Sequence, residues 1–258
     1  MCDDPAVRLA FELHDERPVL LLLHPFPFDR RVWGPQVEAL AQDFEVLTVD
    51  LPGFGASPPA RTASLDLWAD EVDELVEAIV GNRPVAVAGL SMGGYVALRL
   101  AERHPERLEG LILADTRAAA DPPENRAARS EAAALVRSEG VAAIADGLLP
   151  KLFSANAEPG LIRRAREIML EQEPEAVATA LEAMRDRPDS TGLLPNIQVP
   201  TLVIVGAEDI LTPPSEAEVM FHHIPRSWLV RIPEAGHLAG LEAAEEFNAA
   251  VRGFLASL

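Results

Sequence analysis

Six short runs of almost uninterrupted apolar residues recur along the chain: PVLLLLH (18–24), FEVLTVD (44–50), PVAVAG (84–89), LEGLILAD (108–115), PTLVIVG (200–206) and SWLVRIP (227–233). A strand with one wet face alternates polar and apolar residues. A run that is apolar throughout has both faces dry, as in a mainly parallel sheet covered by helices on either side. Helical periodicity fills the intervals. Trp68, Val72, Leu75, Val76 and Ile79 share one stripe, Tyr95, Leu98 and Ala101 another, and Ala243, Phe247, Ala250, Val251 and Phe254 a third. Strands alternating with helices predict an α/β fold with right-handed crossovers. Ahead of them VRLAFEL (7–13) alternates Val7, Leu9, Phe11 and Leu13, the pattern of a half-buried edge strand.

The alternation stops between about Thr116 and Gln198. Helix-like pieces follow one another there (NRAARSEAAALVRSEG, GVAAIADGLLPKLF, GLIRRAREIMLEQ, PEAVATALEAMRD), punctuated by Pro159, Pro174 and Pro188. This predicts a helical insertion, residues 117–195, dividing a core of 1–116 and 196–258. Its expected place is over the carboxyl edge of the sheet, where open α/β proteins hold their ligands. A purely structural appendage is the alternative.

At 48% apolar the chain is not disordered, and a net charge of −19 speaks against a nucleic-acid partner. The single cysteine, Cys2, excludes an intramolecular disulfide and fits a reducing compartment. The acidic MCDDPAVRLA start lacks the character of a secretory signal, and VLLLL is too short to cross a bilayer. These readings lead us to expect a soluble, cytoplasmic protein without membrane insertion; oligomeric state is not legible.

The chemistry centres on Gly89-Leu90-Ser91-Met92-Gly93, a G-x-S-x-G between a predicted strand and a predicted helix. Such a turn lifts a hydroxyl above the sheet and aims amides at developing negative charge; the bland reading makes Ser91 a helix cap. A serine needs a base. Of six histidines, His14, His104, His222 and His223 sit in surface-like turns or amphipathic stretches, whereas His237 in EAGHLAGLE follows the last predicted strand. Asp209, after PTLVIVGAE, is the favoured orienting acid. Asp115, after LEGLILA, competes, neighbouring Glu208 stays open, and Asp50 fits a role in fixing the LPGFGAS loop. For the oxyanion the backbone N–H groups of Phe26 and Met92 are the candidates, since Pro25 has none to give. His24 reads as a brace for that loop. Phe26, Phe28 and Trp33 are candidates for an apolar pocket wall, with core packing the alternative for Trp33.

In their joint order HPFPFD (24–29), DLPGFGAS (50–57), GLSMGG (89–94), VGAED (205–209) and AGH (235–237) resemble the α/β-hydrolase superfamily over nearly the whole chain, particularly its small carboxylesterases and 3-oxoadipate enol-lactonase-like members with helical caps. The resemblance implies Ser91 as nucleophile, Asp209 as acid, His237 as base, and the Phe26 and Met92 amides as oxyanion hole. It implies hydrolysis of a small-molecule ester by water through an acyl-enzyme, with no metal or redox cofactor; HExxH, CxxC and GxGxxG are all missing. Dehalogenases and epoxide hydrolases of this superfamily carry aspartate where Ser91 stands. Two departures are Pro25 in place of a glycine and an amino terminus short of one strand of the usual hairpin. Ester and lactone remain alternatives, as does a non-catalytic scaffold. Ile162, Ile168, Met169 and GLLPKLF are candidates for a roof; Arg117, Arg126 and Arg129 either recognise a carboxylate or lie solvated on the cap.

Overall fold

Each of the six apolar runs forms a strand in the computed structural model, which describes the backbone of residues 11–14 and all of residues 18–258. Strands β1 (Phe11–His14), β2 (Val19–Leu23), β3 (Glu45–Val49), β4 (Val85–Leu90), β5 (Leu108–Ala114), β6 (Thr201–Gly206) and β7 (Ser227–Ile232) make one sheet in the order β1-β3-β2-β4-β5-β6-β7. Strands β2 to β7 are parallel, and β1 runs antiparallel to β3 with Phe11 opposite Val49. Cys2, Val7 and Leu9 lie outside the described residues.

The helices are α1 (Gly34–Leu40), α2 (Leu65–Val80), α3 (Met92–Arg103), α4 (Pro123–Glu139), α5 (Ala142–Leu152), α6 (Pro159–Leu170), α7 (Pro174–Asp186), α8 (Pro214–His223), α9 (Ala239–Glu242) and α10 (Ala244–Leu255). Successive strand side chains point to opposite faces, so the dry runs feed two cores. Leu21, Leu23, Val87, Leu111 and Val203 join Trp68, Val72 and Leu98 of α2 and α3 on one face. Leu20, Leu22, Ala88, Ile112 and Ile204 meet Leu40, Phe247 and Val251 of α1 and α10 on the other. Full burial of each such aliphatic side chain contributes roughly 1.5–3 kcal/mol. The edge strand β7 is only half covered, and its Trp228 stays 50% exposed beside Phe254.

Helices α4 to α7 enter between β5 and β6, adjacent strands in which Ala114 pairs with Ile204. Val177, Ala178 and Leu181 of α7 extend the first core, while Ile168 and Met169 of α6 extend the second. Polar contacts fasten the α6–α7 junction to the core: Gln172 Nε2 donates to Asp29 Oδ2 (2.8 Å), Gly55 N donates to Gln172 Oε1 (3.0 Å), and Arg31 pairs with Glu171 (2.5 Å). No helix among the described residues is long and apolar enough to cross a membrane.

Candidate active site

Ser91 sits between β4 and α3 with φ 53° and ψ −112°, a conformation that L-residues with a Cβ avoid. Its neighbours hold it there. Ser91 N donates to Ala114 O (2.9 Å), and Thr116 Oγ1 donates to Ser91 O (2.8 Å). A Cβ on Gly93 would stand 2.1 Å from the Leu23 carbonyl oxygen, so α3 approaches β2 this closely only with glycine. Ser91 makes no side-chain capping bond to α3. Its Oγ instead lies 2.8 Å from His237 Nε2.

His237, in the loop after β7, is buried, and its Nδ1 lies 2.8 Å from Asp209 Oδ2. Asp209, in the loop after β6, also accepts from Leu211 N (2.8 Å) and Thr212 N (3.0 Å) through Oδ1 and from Thr212 Oγ1 (2.6 Å) through Oδ2. Burial pushes its carboxyl up. The hydrogen bond and charge of His237, together with the Thr212 bonds, outweigh this and hold it below the ordinary carboxylate value. The structure thus brings Ser91, His237 and Asp209 into one line, through bonds short enough for proton movement.

Asp115 does not touch His237. It is fully buried, with Oδ1 accepting from Gly206 N (2.8 Å) and Oδ2 from Ala239 N (3.3 Å), and so bridges the end of β6 to the start of α9. Burial first, then the charge of Asp209, raise its carboxyl well above the usual range. Glu208 faces solvent. Asp50 accepts from Arg30 N (2.8 Å) and Ala56 N (2.9 Å), fixing the loop after β3. His24 accepts from Leu51 N at Nε2 (2.9 Å) and so donates from Nδ1 to Pro25 O (2.9 Å), a neutral brace whose basicity burial lowers. His104 pairs with Asp70 of α2, and His222 and His223 end α8.

Above Ser91 opens a cavity of about 480 Å³ lined by Phe26, Tyr95, Thr212 and His237 below and by residues of α4, α5 and α7 above. Phe26 and Met92 flank Ser91, one at the cavity wall and the other opening α3; among the described residues neither backbone N–H has a protein acceptor. Phe28 and Trp33 do not line the cavity. Both are fully buried in the second core, Trp33 against Phe247, because the chain turns inward after Pro27. Ile162, Ile168 and Met169 likewise pack in or against that core rather than forming a roof. The roof comes from Ile144, Leu148 and Leu152 of α5 with Leu181 and Met184 of α7. Arg117 and Arg129 face the cavity, whereas Arg126 pairs outside with Asp186.

The sequence pattern of the family described as alpha/beta hydrolase fold matches residues 18–244. The chain belongs to the α/β-hydrolase family. It is 33% identical to the pimeloyl-[acyl-carrier protein] methyl ester esterase of Neisseria meningitidis, over 91% of this chain and 92% of that protein. Among solved structures it is similar to a thermophilic esterase from Thermogutta terrifontis (TM-score 0.94, 42% identity, 96% and 93% of the two chains) and to the enol-lactonase from Burkholderia xenovorans (TM-score 0.89, 30% identity, 96% of each).

In this α/β hydrolase two further residues matter that sequence reading passed over. Thr212 is signalled only by its place three residues after Asp209. Glu242, five residues after His237, ties the histidine loop to the helical insertion. Its Oε1 accepts from Gly236 N (2.7 Å) and its Oε2 from Ser154 N (2.8 Å), beside a direct Leu238 N to Leu152 O bond (3.1 Å). The approach is so close that a Cβ on Gly236 would stand 2.7 Å from the backbone at Phe153 and Ser154.

Proposed function

We propose that this α/β hydrolase cleaves carboxylic esters through an acyl-enzyme on Ser91, preferring small or medium acyl groups. The observation that carries the reading is the hydrogen-bonded path from Ser91 Oγ through both nitrogens of His237 to Asp209, opening into a mainly apolar cavity. His237 Nε2 takes the Ser91 proton as Oγ attacks the ester carbonyl. The carbonyl oxygen becomes an oxyanion received by the N–H groups of Phe26 and Met92. His237 returns the proton to the departing alcohol, leaving the acyl group on Ser91. Water, deprotonated by the same nitrogen, then attacks the acyl carbon and releases the carboxylic acid and the free serine. Asp209 remains ionised throughout and keeps Nδ1 protonated. Residues 117–195 act as a cap that sets acyl size. The relatives' names support the reading: two are esterases, and a lactone is a cyclic ester.

Purified protein should hydrolyse short p-nitrophenyl esters and be labelled by a fluorophosphonate, and Ser91→Ala should lose at least roughly 10³-fold in kcat. Turnover by folded S91A at the wild-type rate would reject Ser91 as nucleophile; no turnover and no labelling in the wild type would favour a binding protein on the hydrolase fold. A second reading, hydrolysis of a carboxylate-bearing lactone by the same steps, is favoured by the two arginines at the cavity wall.

A further inference from the structure

Thr212 spends its hydroxyl away from its own helix. It stands one residue before Pro213, which opens α8, the position from which a threonine often serves the helix end. Among the described residues its hydroxyl meets only the catalytic line instead: Oγ1 lies 2.6 Å from Asp209 Oδ2 and 3.2 Å from His237 Nδ1. The side chain is buried at the edge of the cavity, so no bulk water competes for these bonds.

The hydrogens can be allotted from the chemistry of the groups. An ionised carboxylate has none to give, so the 2.8 Å contact between His237 and Asp209 requires the hydrogen on Nδ1. The Thr212 hydrogen then goes to Asp209 Oδ2, and a lone pair of its oxygen is left facing Nδ1–H. Each oxygen of Asp209 accepts twice, Oδ1 from the amides of Leu211 and Thr212, Oδ2 from the Thr212 hydroxyl and His237. The helical insertion supports the same point. Arg117 donates to Leu211 O, the carbonyl of the peptide whose N–H, on Thr212, reaches Asp209 Oδ1. A cation on that carbonyl strengthens the N–H as a donor.

A second buried carboxylate gives this arrangement its importance. Asp115 accepts only from the amides of Gly206 and Ala239 among the described residues, and burial first, then the charge of Asp209, raise it well above the ordinary carboxylate range. Two such groups within reach of each other's charge do not both ionise easily. The donors around each determine which one keeps the charge, and Thr212 supplies two of the four on Asp209.

We propose that Thr212 is a positioning residue whose hydroxyl holds Asp209 Oδ2 on the Nδ1–H of His237 and keeps the negative charge on Asp209 rather than Asp115 while the imidazolium forms. The proposal rests on the reading of Ser91, His237 and Asp209 as the catalytic line.

The test compares Thr212→Val, which keeps the shape and loses the hydroxyl, with Thr212→Ser, which keeps the hydroxyl. On p-nitrophenyl butyrate, kcat should fall roughly ten- to hundredfold in Thr212→Val, the worth of a hydrogen bond to a charged group, and stay within about threefold of wild type in Thr212→Ser. KM should change little in either, since the hydroxyl is bonded to Asp209 and not to the ester. In the unreacted proteins, the low-field proton resonance of His237 Nδ1–H should move downfield in Thr212→Val, where Oδ2 loses its competing donor, and stay in place in Thr212→Ser. Thr212→Ala serves as the hydroxyl-free variant if valine disturbs folding. A wild-type kcat in the hydroxyl-free variant, a serine variant as impaired as the valine one, or a resonance that loss of the hydroxyl leaves in place would each overturn the assignment. A wild type that neither turns over esters nor takes a fluorophosphonate on Ser91 would instead sink the esterase reading, and the resonance then decides the place of Thr212 by itself.

Discussion

Ser91 and Asp115 end adjacent strands, and both carry positive φ. What separates their chemistry is where the side chain finds partners. Asp209→Asn should leave a folded protein with kcat lowered on the order of 10⁴-fold, because the amide no longer fixes the tautomer of His237. Asp115→Asn should lower the unfolding temperature while kcat falls far less, since its carboxyl accepts from the backbone amides of Gly206 and Ala239 and not from His237. Comparable kcat losses in the two would show that Asp115 serves the histidine directly. The pH dependence of their stabilities should run in opposite senses. Asp115 is raised in the folded protein, so its contribution is full below the ordinary carboxylate value and lost as pH rises through the raised one. The wild-type advantage over Asp115→Asn therefore shrinks with rising pH. Asp209 is lowered, so its contribution is present above the ordinary value and lost as pH falls through the lowered one; the deficit of Asp209→Asn fades in acid. Thermal scans across pH for both variants check the signs. Sequence order favoured Asp209 but left Asp115 in contention because both follow a strand. Chain position assigns a residue to a loop; the amides of Leu211 and Thr212 determine which way its carboxyl turns.

At the scale of elements, strands read well because a run such as VLLLL has no wet face in any register, and β2 is buried along its whole length. The insertion's helices were legible from the same apolar spacing, but their interior partners were not. Periodicity marks a face as dry without distinguishing a core from a ligand cavity. Hence Ile168 and Met169 of α6 belong to the core while Leu148 of α5 faces the cavity. Hydrogen bonds between elements leave still less trace, and Glu242 is the case with functional weight. Glu242→Gln offers one oxygen where two amides converge, leaving Gly236 N or Ser154 N unpaired against an amide NH₂. An unsatisfied donor of this kind costs about 1–3 kcal/mol. We expect a loss of that size in urea unfolding, together with a fall in kcat as the His237 loop loosens. A stability loss with unchanged kcat would confine Glu242 to holding the insertion in place.

For the whole molecule, a charge of −19 is a standing self-repulsion. Raising ionic strength from 0.01 to 0.15 M shortens the Debye length from about 30 to about 8 Å. The unfolding temperature at pH 7 should therefore rise over that range, and the rise should vanish near pH 4.6, the sequence isoelectric point. A fall with salt at pH 7 would mean that the ion pairs, not the net charge, dominate. Polymer entropy sets a different limit on this architecture. Because the insertion leaves β5 and returns to β6, its ends are held side by side by the sheet, with Ala114 opposite Ile204. Closing a flexible loop between fixed ends costs only roughly 0.6 kcal/mol for each doubling of its length. Chain entropy therefore sets little limit on how far the segment between those ends can grow or shrink. The constraint on such change lies in contacts and not in length: whatever replaces the present helices must still cover the two cores that Leu181 and Met169 now reach, meet Asp29 as Gln172 does, and bring a backbone amide to Glu242 at the place where Ser154 N now stands.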